Sequence, residues 1–545
     1  MKLFKHKAWL VFIAAILLRL GWNLLHPHDL YLDSWVMVHI LDSLTGHAVM
    51  LPRAAITLCY PVSYVPFLLP AALSGGFNTV KYFYPVISSL VVVPAYFIFR
   101  KGPAPAAGAF AVLLFSDISF KTLTGTPQAV AIPLFFLALY FLLNRRHTAF
   151  VLTATVILFT HHLTGMVTLV LYFTLWVLPG SRQPGFLRRE WPYLLFFALW
   201  PFYWAWTFSL SGQTYLVPVF LILYFVIGLP VAILLYLTTP FWQKNLDYWG
   251  AKIAATKASS MFIGVIIISV LVWLLTLMLL RLPIFSHSPV TNSLFAITCA
   301  SVIVLGIAAL LVRRDIGLAL FILALICLAG IVLLSGYNTI FDGLRLVDFI
   351  LLGVTVVIFM GGLPVLWTSR AVLFGVTCVV ILAYGLHFAP GYALMFSYTS
   401  GEYEAAQWLK SNTPENVTIA TDTKMSLLLL GVADRNSTFE GSSWLFESAT
   451  LEASIAKLNA GEPPQNISGA KVILGQYTAG SGSSNTGFIE RPIRYVLLAD
   501  YMITGGADVS WFSAPLKPSP DLEVTLDQLG QRVYSHDGVI IWRLD

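Results

Sequence analysis

Charge is the scarcest property of this sequence. Only 11% of its 545 residues are Asp, Glu, Lys or Arg, 58% are hydrophobic, and mean hydropathy is +0.80. A soluble domain carries roughly 25% charged residues, so a chain facing water along most of its length is excluded. Cysteine is nearly missing as well: Cys59, Cys299, Cys327 and Cys378 are the full set, and none falls in the C-terminal region. Neither a disulfide framework nor metal-ligand spacing can be built from them. Acidic residues thin out most before residue 389, where 9 of the 26 Asp+Glu accompany 22 of the 32 Lys+Arg, a net of +13. Residues 390–545 hold the other 17 acids and 10 bases, a net of −7. The formal +6 is the sum of two unlike parts and implies no nucleic-acid partner.

Long apolar runs fill the first part. Basic clusters punctuate them at Lys2/Lys5/Lys7, Arg100/Lys101, Arg145/Arg146, Arg182/Arg188/Arg189, Lys244/Lys252/Lys257, Arg313/Arg314 and Arg370. Short loops rich in Lys and Arg stay in the cytoplasm, so an even number of spans is expected between consecutive clusters. The pairs 103–116 with 127–143, 148–161 with 163–178, 191–208 with 214–236, 259–280 with 290–312 and 316–335 with 345–361 obey that rule. Residues 371–389 form an unpaired last span, which carries the C-terminus outside. Between Lys7 and Arg100 three apolar runs occur, at 8–25, 57–73 and 79–99. One of them should not cross, and 57–73, with Pro61, Pro66 and Pro70, is the poorest helix. Lys2–Leu25 contains Arg19, continues into further spans without a cleavage site, and reads as a retained signal-anchor helix.

The expected fold is therefore mostly α: a polytopic membrane protein of about thirteen transmembrane helices. Residues 1–389 form the transmembrane part, with a juxtamembrane outer loop at 26–78. Residues 390–545 form a soluble, extracytoplasmic, mixed α/β domain. In that domain a helix is expected near Glu402–Lys410 and strands at Val417–Asp422, Arg494–Ile503 and Gln531–Leu544. Sequons at Asn416, Asn436 and Asn466 agree with an outside location. The expected localisation is the cell membrane, with a cytoplasmic N-terminus.

Topology narrows the chemistry. Of the nine acids before residue 389, Asp29, Asp33, Asp42, Asp117 and Asp342 fall in outer loops. Such carboxylates are costly beside a bilayer unless solvated or used. The first outer loop runs His26-Pro27-His28-Asp29-Leu30-Tyr31-Leu32-Asp33-Ser34-Trp35, then His39, Asp42 and Gly46. It resembles the GT-C superfamily of polytopic glycosyltransferases, and Asp33-Ser34-Trp35 to Gly46 is similar to a pattern of oligosaccharyltransferase catalytic subunits and their archaeal relatives. Tyr60-Pro61 through Pro70 resembles the family's Tyr-Pro-rich segment. Phe115-Ser116-Asp117 to Gly125-Thr126-Pro127-Gln128 is similar to its second external loop. Phe341-Asp342-Gly343-Leu344-Arg345 resembles its late outer loop, and residues 402–422 resemble the start of an archaeal extracytoplasmic domain.

The resemblance implies transfer of a sugar from a polyprenyl-phosphate donor of the dolichyl-phosphate type to a lipid-linked glycan or protein acceptor. It implies a catalytic carboxylate at Asp33, with Asp29 as its substitute and Asp117 nearby. Arg345 would meet the donor phosphate, assisted by Lys121 or Arg53. His161, His162, Gln128 and Tyr337 would contact substrate. No Trp-Trp-Asp-Tyr-Gly run occurs in the tail and the second loop lacks paired acids. The resemblance therefore points to transfer of a single sugar, without an obligatory cofactor, while a divalent Mg²⁺ or Mn²⁺ stays open. Bland readings stand beside these. Asp33 could be a solvated loop carboxylate, Asp117 a helix cap, His161-His162 interfacial anchors, and Arg345 a snorkelling side chain. The rival functions are a transporter or flippase, a non-catalytic subunit or receptor, and a lipid-linked glycan ligase or polymerase.

Overall fold

The computed structural model describes residues 2–30, 32–51, 60–102, 104–114, 126–181, 183–210, 228–254, 309–310, 313–335, 343–362, 397–438, 445–446, 448–460, 493–507 and 516–544, with four single positions between 217 and 225. The expected spans 259–280 and 371–389, most of 290–312 and part of 214–236 lie outside these. So do Arg53, Asp117, Lys121 and Tyr337.

Helix α1 is Lys2–Leu25, α2 is Leu32–Leu44 and α3 is Pro61–Asn78. Helical turns continue from Thr79 to Phe99, and Pro105–Leu114 follows. Then come α4 (Pro127–Leu143), α5 (His147–Thr160), α6 (His162–Tyr172, prolonged to Gly180), α7 (Phe186–Leu210), α8 (Leu229–Ala254), α9 (Ile316–Ser335) and α10 (Gly343–Val357). Helix α8 passes through Lys244 and Lys252, where a loop was expected.

Four stretches among the described residues are long and apolar enough to cross a membrane: Lys7–Leu25, Val62–Phe99, His162–Gly180 and Phe186–Leu210. Rows of apolar side chains are exposed on α1 (Trp9, Ile13, Leu17), α7 (Trp191, Leu195, Leu199, Phe202) and α8 (Ile233, Leu237, Phe241). Apolar surface of that extent suits lipid rather than water.

The 38-residue stretch Val62–Phe99 is not one rod. Gly75 has φ 81° and ψ 160°, inside a helix that otherwise stays regular. Phe67 and Tyr84 stack with centroids 3.5 Å apart, whereas 17 residues of straight helix would separate them by about 25 Å. The chain therefore doubles back at Gly75, a backbone state that glycine reaches without a Cβ penalty. Residues 61–74 form one arm of a helical hairpin, and Thr79–Phe99 forms the other.

The second arm runs antiparallel to α1. Asn23 donates to the Lys81 carbonyl at 2.5 Å, and the Arg19 guanidinium reaches Ser88 Oγ and, at 3.4 Å, the Leu113 carbonyl. The helices thus share two ends. At the lower end Phe99 meets Phe359, Phe97 meets Tyr140, and His147 meets Glu190. At the upper end lie Asn23, Lys81, the start of α4, His161 with His162, and Trp204 with Phe208.

The C-terminal region is a mixed α/β layer. Helix α11, Ser400–Asn412, opens with a capping box between Thr399 and Glu402, which satisfies two orphan N–H groups reciprocally. Arg435 closes its other end, donating to the Lys410 and Thr413 carbonyls at 2.8 and 2.7 Å. Helix α12 is Thr423–Leu428, continued by wider turns to Ala433. Strands β1 (Thr418–Ala420), β2 (Asn436–Ser437), β3 (Ile493–Ala499), β4 (Gly530–His536) and β5 (Val539–Leu544) form one sheet in the order β2-β1-β3-β5-β4. The expected strand 531–544 is in fact a hairpin. Asp537 and Gly538 both have positive φ, 45° and 75°, the two-residue turn that an Asp-Gly pair favours. Of the sequons, Asn416 is exposed while Asn436 is buried in β2, where a glycan has no room.

One core joins this layer to the outer hairpin. Trp35, Ile40, Leu41, Tyr64, Phe67 and Tyr84 pack in the same cluster as Ile419, Met425, Leu428, Val496 and Trp542. The residues around the expected boundary at 390 lie outside the described ones; among the described residues the C-terminal layer and the outer hairpin share packing. The reason lies in α2, whose residues Ser34 to Leu41 are all buried. A helix covered on every side needs neighbours on every side. Helix α3 supplies one flank and α12 the other: a Cβ on Gly76 would meet the Val38 carbonyl at 2.4 Å, and one on Gly431 would meet Trp35 at 2.7 Å.

Candidate functional site

Several of the residues singled out in the sequence lie toward the upper end. Helix α2 begins there, and Asp33 stands in its first turn. Unpaired N–H groups at a helix start favour negative charge, so the position suits an ionised carboxylate. Beside it, Ser34 Oγ and Trp35 Nε1 are buried with no hydrogen-bond partner among the described residues.

Asp29 is engaged differently. One carboxylate oxygen accepts the Tyr398 N–H at 3.2 Å and the other faces His26 Nδ1 at 3.1 Å. Lys81, fully buried, donates to the carbonyls of His26 and Asp29, both at 2.5 Å. Asp29 therefore ties the first loop to the start of the C-terminal layer, and the His28 ring adds a contact with Tyr403 at 4.6 Å. Lys81 fixes the loop's backbone from below.

His161 and His162 sit where α5 turns into α6. His161 is the N-cap of α6, its Nδ1 accepting from Thr164 N–H at 3.2 Å. His162 Nδ1 lies 3.1 Å from the Tyr60 hydroxyl, and the Tyr60 ring stacks near both imidazoles. Trp204 closes the group, 5.5 Å from His162, and donates its indole N–H to the Leu158 carbonyl. Both histidines are less than 10% exposed, so in this arrangement they shape the wall of the site. Gln128, likewise buried, is in the first turn of α4.

Arg345 is in the first turn of α10. Beyond that helix, Phe359 packs on Phe99 at the lower end, which leaves residues 343–345 at the upper end. Asp117 and Lys121 lie outside the described residues. Arg53 and Tyr337 lie outside the described residues as well. No group of three or more His, Cys, Asp and Glu among the described residues is placed to hold a metal ion.

A further polar cluster escaped the sequence reading. His39, fully buried, has Nδ1 3.1 Å from Asp434 Oδ1, and its Nε2 accepts the Leu51 N–H at 3.1 Å. Lys410 Nζ reaches Asp434 Oδ2 at 2.5 Å. Burial pushes the Asp434 carboxyl up, but hydrogen bonds from His39 and Lys410, with the Lys410 charge, hold it below the usual carboxylate value. Asp42, two turns from the start of α2's buried face, accepts the Gly76 N–H at 2.6 Å. Burial and, more weakly, the Asp434 charge raise its pKa. No periodicity links residues 395 positions apart, which is why composition could not reveal the pair.

No family model matches the chain and no curated protein matches it. Two solved structures of ArnT from Cupriavidus metallidurans align with it. The form bound to undecaprenyl phosphate covers 98% of this chain and 97% of its own, at 12% identity and a TM-score of 0.35. The apo form covers 99% and 98%, at 13% identity and a TM-score of 0.36. A TM-score at that level says nothing of the site's chemistry.

Proposed function

We propose that this chain is a membrane glycosyltransferase that takes a sugar from a polyprenyl-phosphate-linked donor. The observation that carries the reading is convergence. Asp33, Gln128 and Arg345 stand in the first turns of α2, α4 and α10, and His161 and His162 where α5 turns into α6, all toward the upper end of the bundle.

The reaction on this reading is an inverting displacement. The acceptor hydroxyl attacks the anomeric carbon as the Asp33 carboxylate takes its proton. The bond from that carbon to the phosphate oxygen breaks, and its electron pair leaves with the polyprenyl phosphate. General-base help is worth roughly 10²–10⁴-fold. Arg345 in the first turn of α10 would offset the charge on the leaving phosphate, with the helix start adding its own N–H groups. Lys121 and Arg53 are the further candidate cations. The acceptor, glycan or protein, would approach the start of α2 at the upper end, with the C-terminal layer helping to orient it. The same orientation puts the lower end in the cytoplasm and the C-terminal layer outside. In a cysteine-free background, Asn416→Cys should react with an impermeant reagent added outside, and Arg146→Cys should not.

The test is direct. Purified protein in nanodiscs is given a panel of radiolabelled polyprenyl-phosphate hexoses with the matching lipid-linked acceptors, and label leaving the donor is followed. Arg345→Ala should raise the donor KM about tenfold or more, and Arg345→Lys should recover only part, since bidentate geometry is lost. No label transfer with any donor, or unchanged donor kinetics in Arg345→Ala, would overturn the respective assignments.

A further inference from the structure

His39 occupies a position that no catalytic reading uses. Its surroundings define its tautomer. Nε2 accepts the Leu51 N–H at 3.1 Å, so the imidazole proton sits on Nδ1, which points to Asp434 Oδ1 at the same distance. Ser43 Oγ, at 3.4 Å from Nε2, is a weak third contact. The arrangement of carboxylate, imidazole and serine looks like a nucleophile's relay, but the distal nitrogen is already spent on a backbone amide. A base so occupied cannot activate a hydroxyl. The pair does something else.

Three chain segments meet on this ring. Helix α2 carries it. Asp434 belongs to the C-terminal layer and has a left-handed backbone, φ 51°, at the end of the turns that follow α12. Leu51 begins the segment that leads to Tyr60, whose hydroxyl contacts His162. Asp434 is itself held from its other oxygen by Lys410, and next to it Arg435 clamps the end of α11. A ring with both nitrogens engaged and no exposure cannot tilt without breaking a buried hydrogen bond, which costs more than an exposed one. Metal-bound and catalytic histidines are oriented by such second contacts; here the logic orients a helix.

We propose that His39 is a positioning residue, through which the Asp434–Lys410 pair of the C-terminal layer sets both α2 and Leu51, beyond its far end. The C-terminal layer is then part of the site's framework and not a hinged acceptor-binding module. The statement that α2 carries the reacting carboxylate rests on the function proposed above; the coupling itself does not.

Hydrogen exchange on the full-length protein in nanodiscs tests the coupling without any substrate. His39→Phe and Asp434→Asn should each speed exchange at least tenfold in peptides covering residues 40–51, while peptides within 186–210 stay unchanged. The double variant should be no worse than the more severe single one. His39→Gln, whose amide can donate to Asp434 and accept from Leu51, should restore much of the protection. In the transfer assay with radiolabelled polyprenyl-phosphate hexose, Asp434→Asn should lower kcat several-fold with donor KM held. Unchanged exchange in 40–51, or strictly additive effects, would overturn the proposal, and Asp434→Asn keeps it testable if His39→Phe does not fold. A wild-type protein inert toward every donor would sink the transferase reading, yet leave the exchange result to decide the coupling.

Discussion

Two histidine–carboxylate pairs sit at opposite ends of this molecule, and they are built differently. At the lower end His147 Nε2 faces Glu190 at 2.9 Å, Tyr172 donates to the same carboxylate at 2.6 Å, and Trp176 and Tyr193 crowd the imidazole. All of these residues lie within 46 positions of one another on α5, α6 and α7. At the upper end His39 and Asp434 are 395 positions apart and join the first loop to the C-terminal layer. The lower pair closes a local helical bundle. The upper pair welds a distant segment onto the helix that carries the candidate carboxylate. Burying charge is costly at either end, but only the upper pair spends it next to the proposed chemistry.

The comparison can be broken at either end, and the largest stability loss is expected below. Glu190→Ala leaves a half-buried imidazole and a buried phenol only their mutual contact at 3.3 Å, and loss of one partner of a buried pair costs up to about 3–5 kcal/mol. The melting temperature should fall sharply, while the donor KM of the folded fraction is unaffected. A shift in donor KM would show that the lower end also serves the site.

Gly431→Val comes next. Its side chain would press on Trp35, which a Cβ already meets at 2.7 Å, and overpacking of this kind costs typically 1–3 kcal/mol. Limited proteolysis should then cut between the transmembrane part and α11 faster than in the wild type, with the bundle intact. Equal protease resistance would mean that the close approach of α12 to α2 yields without consequence.

The smallest effect concerns acid. Because Asp434 titrates below its ordinary value, its contribution to folding is complete above the unfolded carboxylate pKa and is lost as pH falls through the folded one. Asp42 has the opposite sign: its raised pKa is a penalty at neutral pH that protonation relieves. Asp434→Asn should therefore flatten the acid limb of a melting-temperature profile, and Asp42→Asn should leave neutral stability level or slightly improved. A profile unchanged by Asp434→Asn would remove the carboxylate from the account.

How much of this was legible follows from the range of each interaction. Apolar runs and loop charges are local, and they gave the helices α4 to α7 within a few residues. The proline-rich run 57–73 was recognised as abnormal, but its fold-back depends on one glycine conformation at Gly75. The Asp537-Gly538 hairpin turn was present in the letters and was passed over inside an apparent single strand. His39 stood in the quoted first loop with no role assigned, because its partner is fixed only when the sheet brings Asp434 against α2. Asp29 looked like a spare catalytic acid until its two oxygens were seen to be committed to Tyr398 and His26.

The central claim is that Asp33 is the base of a glycosyl transfer at the upper end. Asp33→Asn keeps size and removes charge, so one measurement decides: initial transfer rate from radiolabelled polyprenyl-phosphate hexose, wild type against variant, with and without EDTA. The account predicts a fall of about two or more orders of magnitude, the scale of a lost general base, with melting behaviour held and wild-type activity surviving EDTA. Full activity in Asp33→Asn would contradict it. Wild-type activity abolished by EDTA and restored by Mg²⁺ or Mn²⁺ would contradict the base assignment too, by making Asp33 a metal ligand.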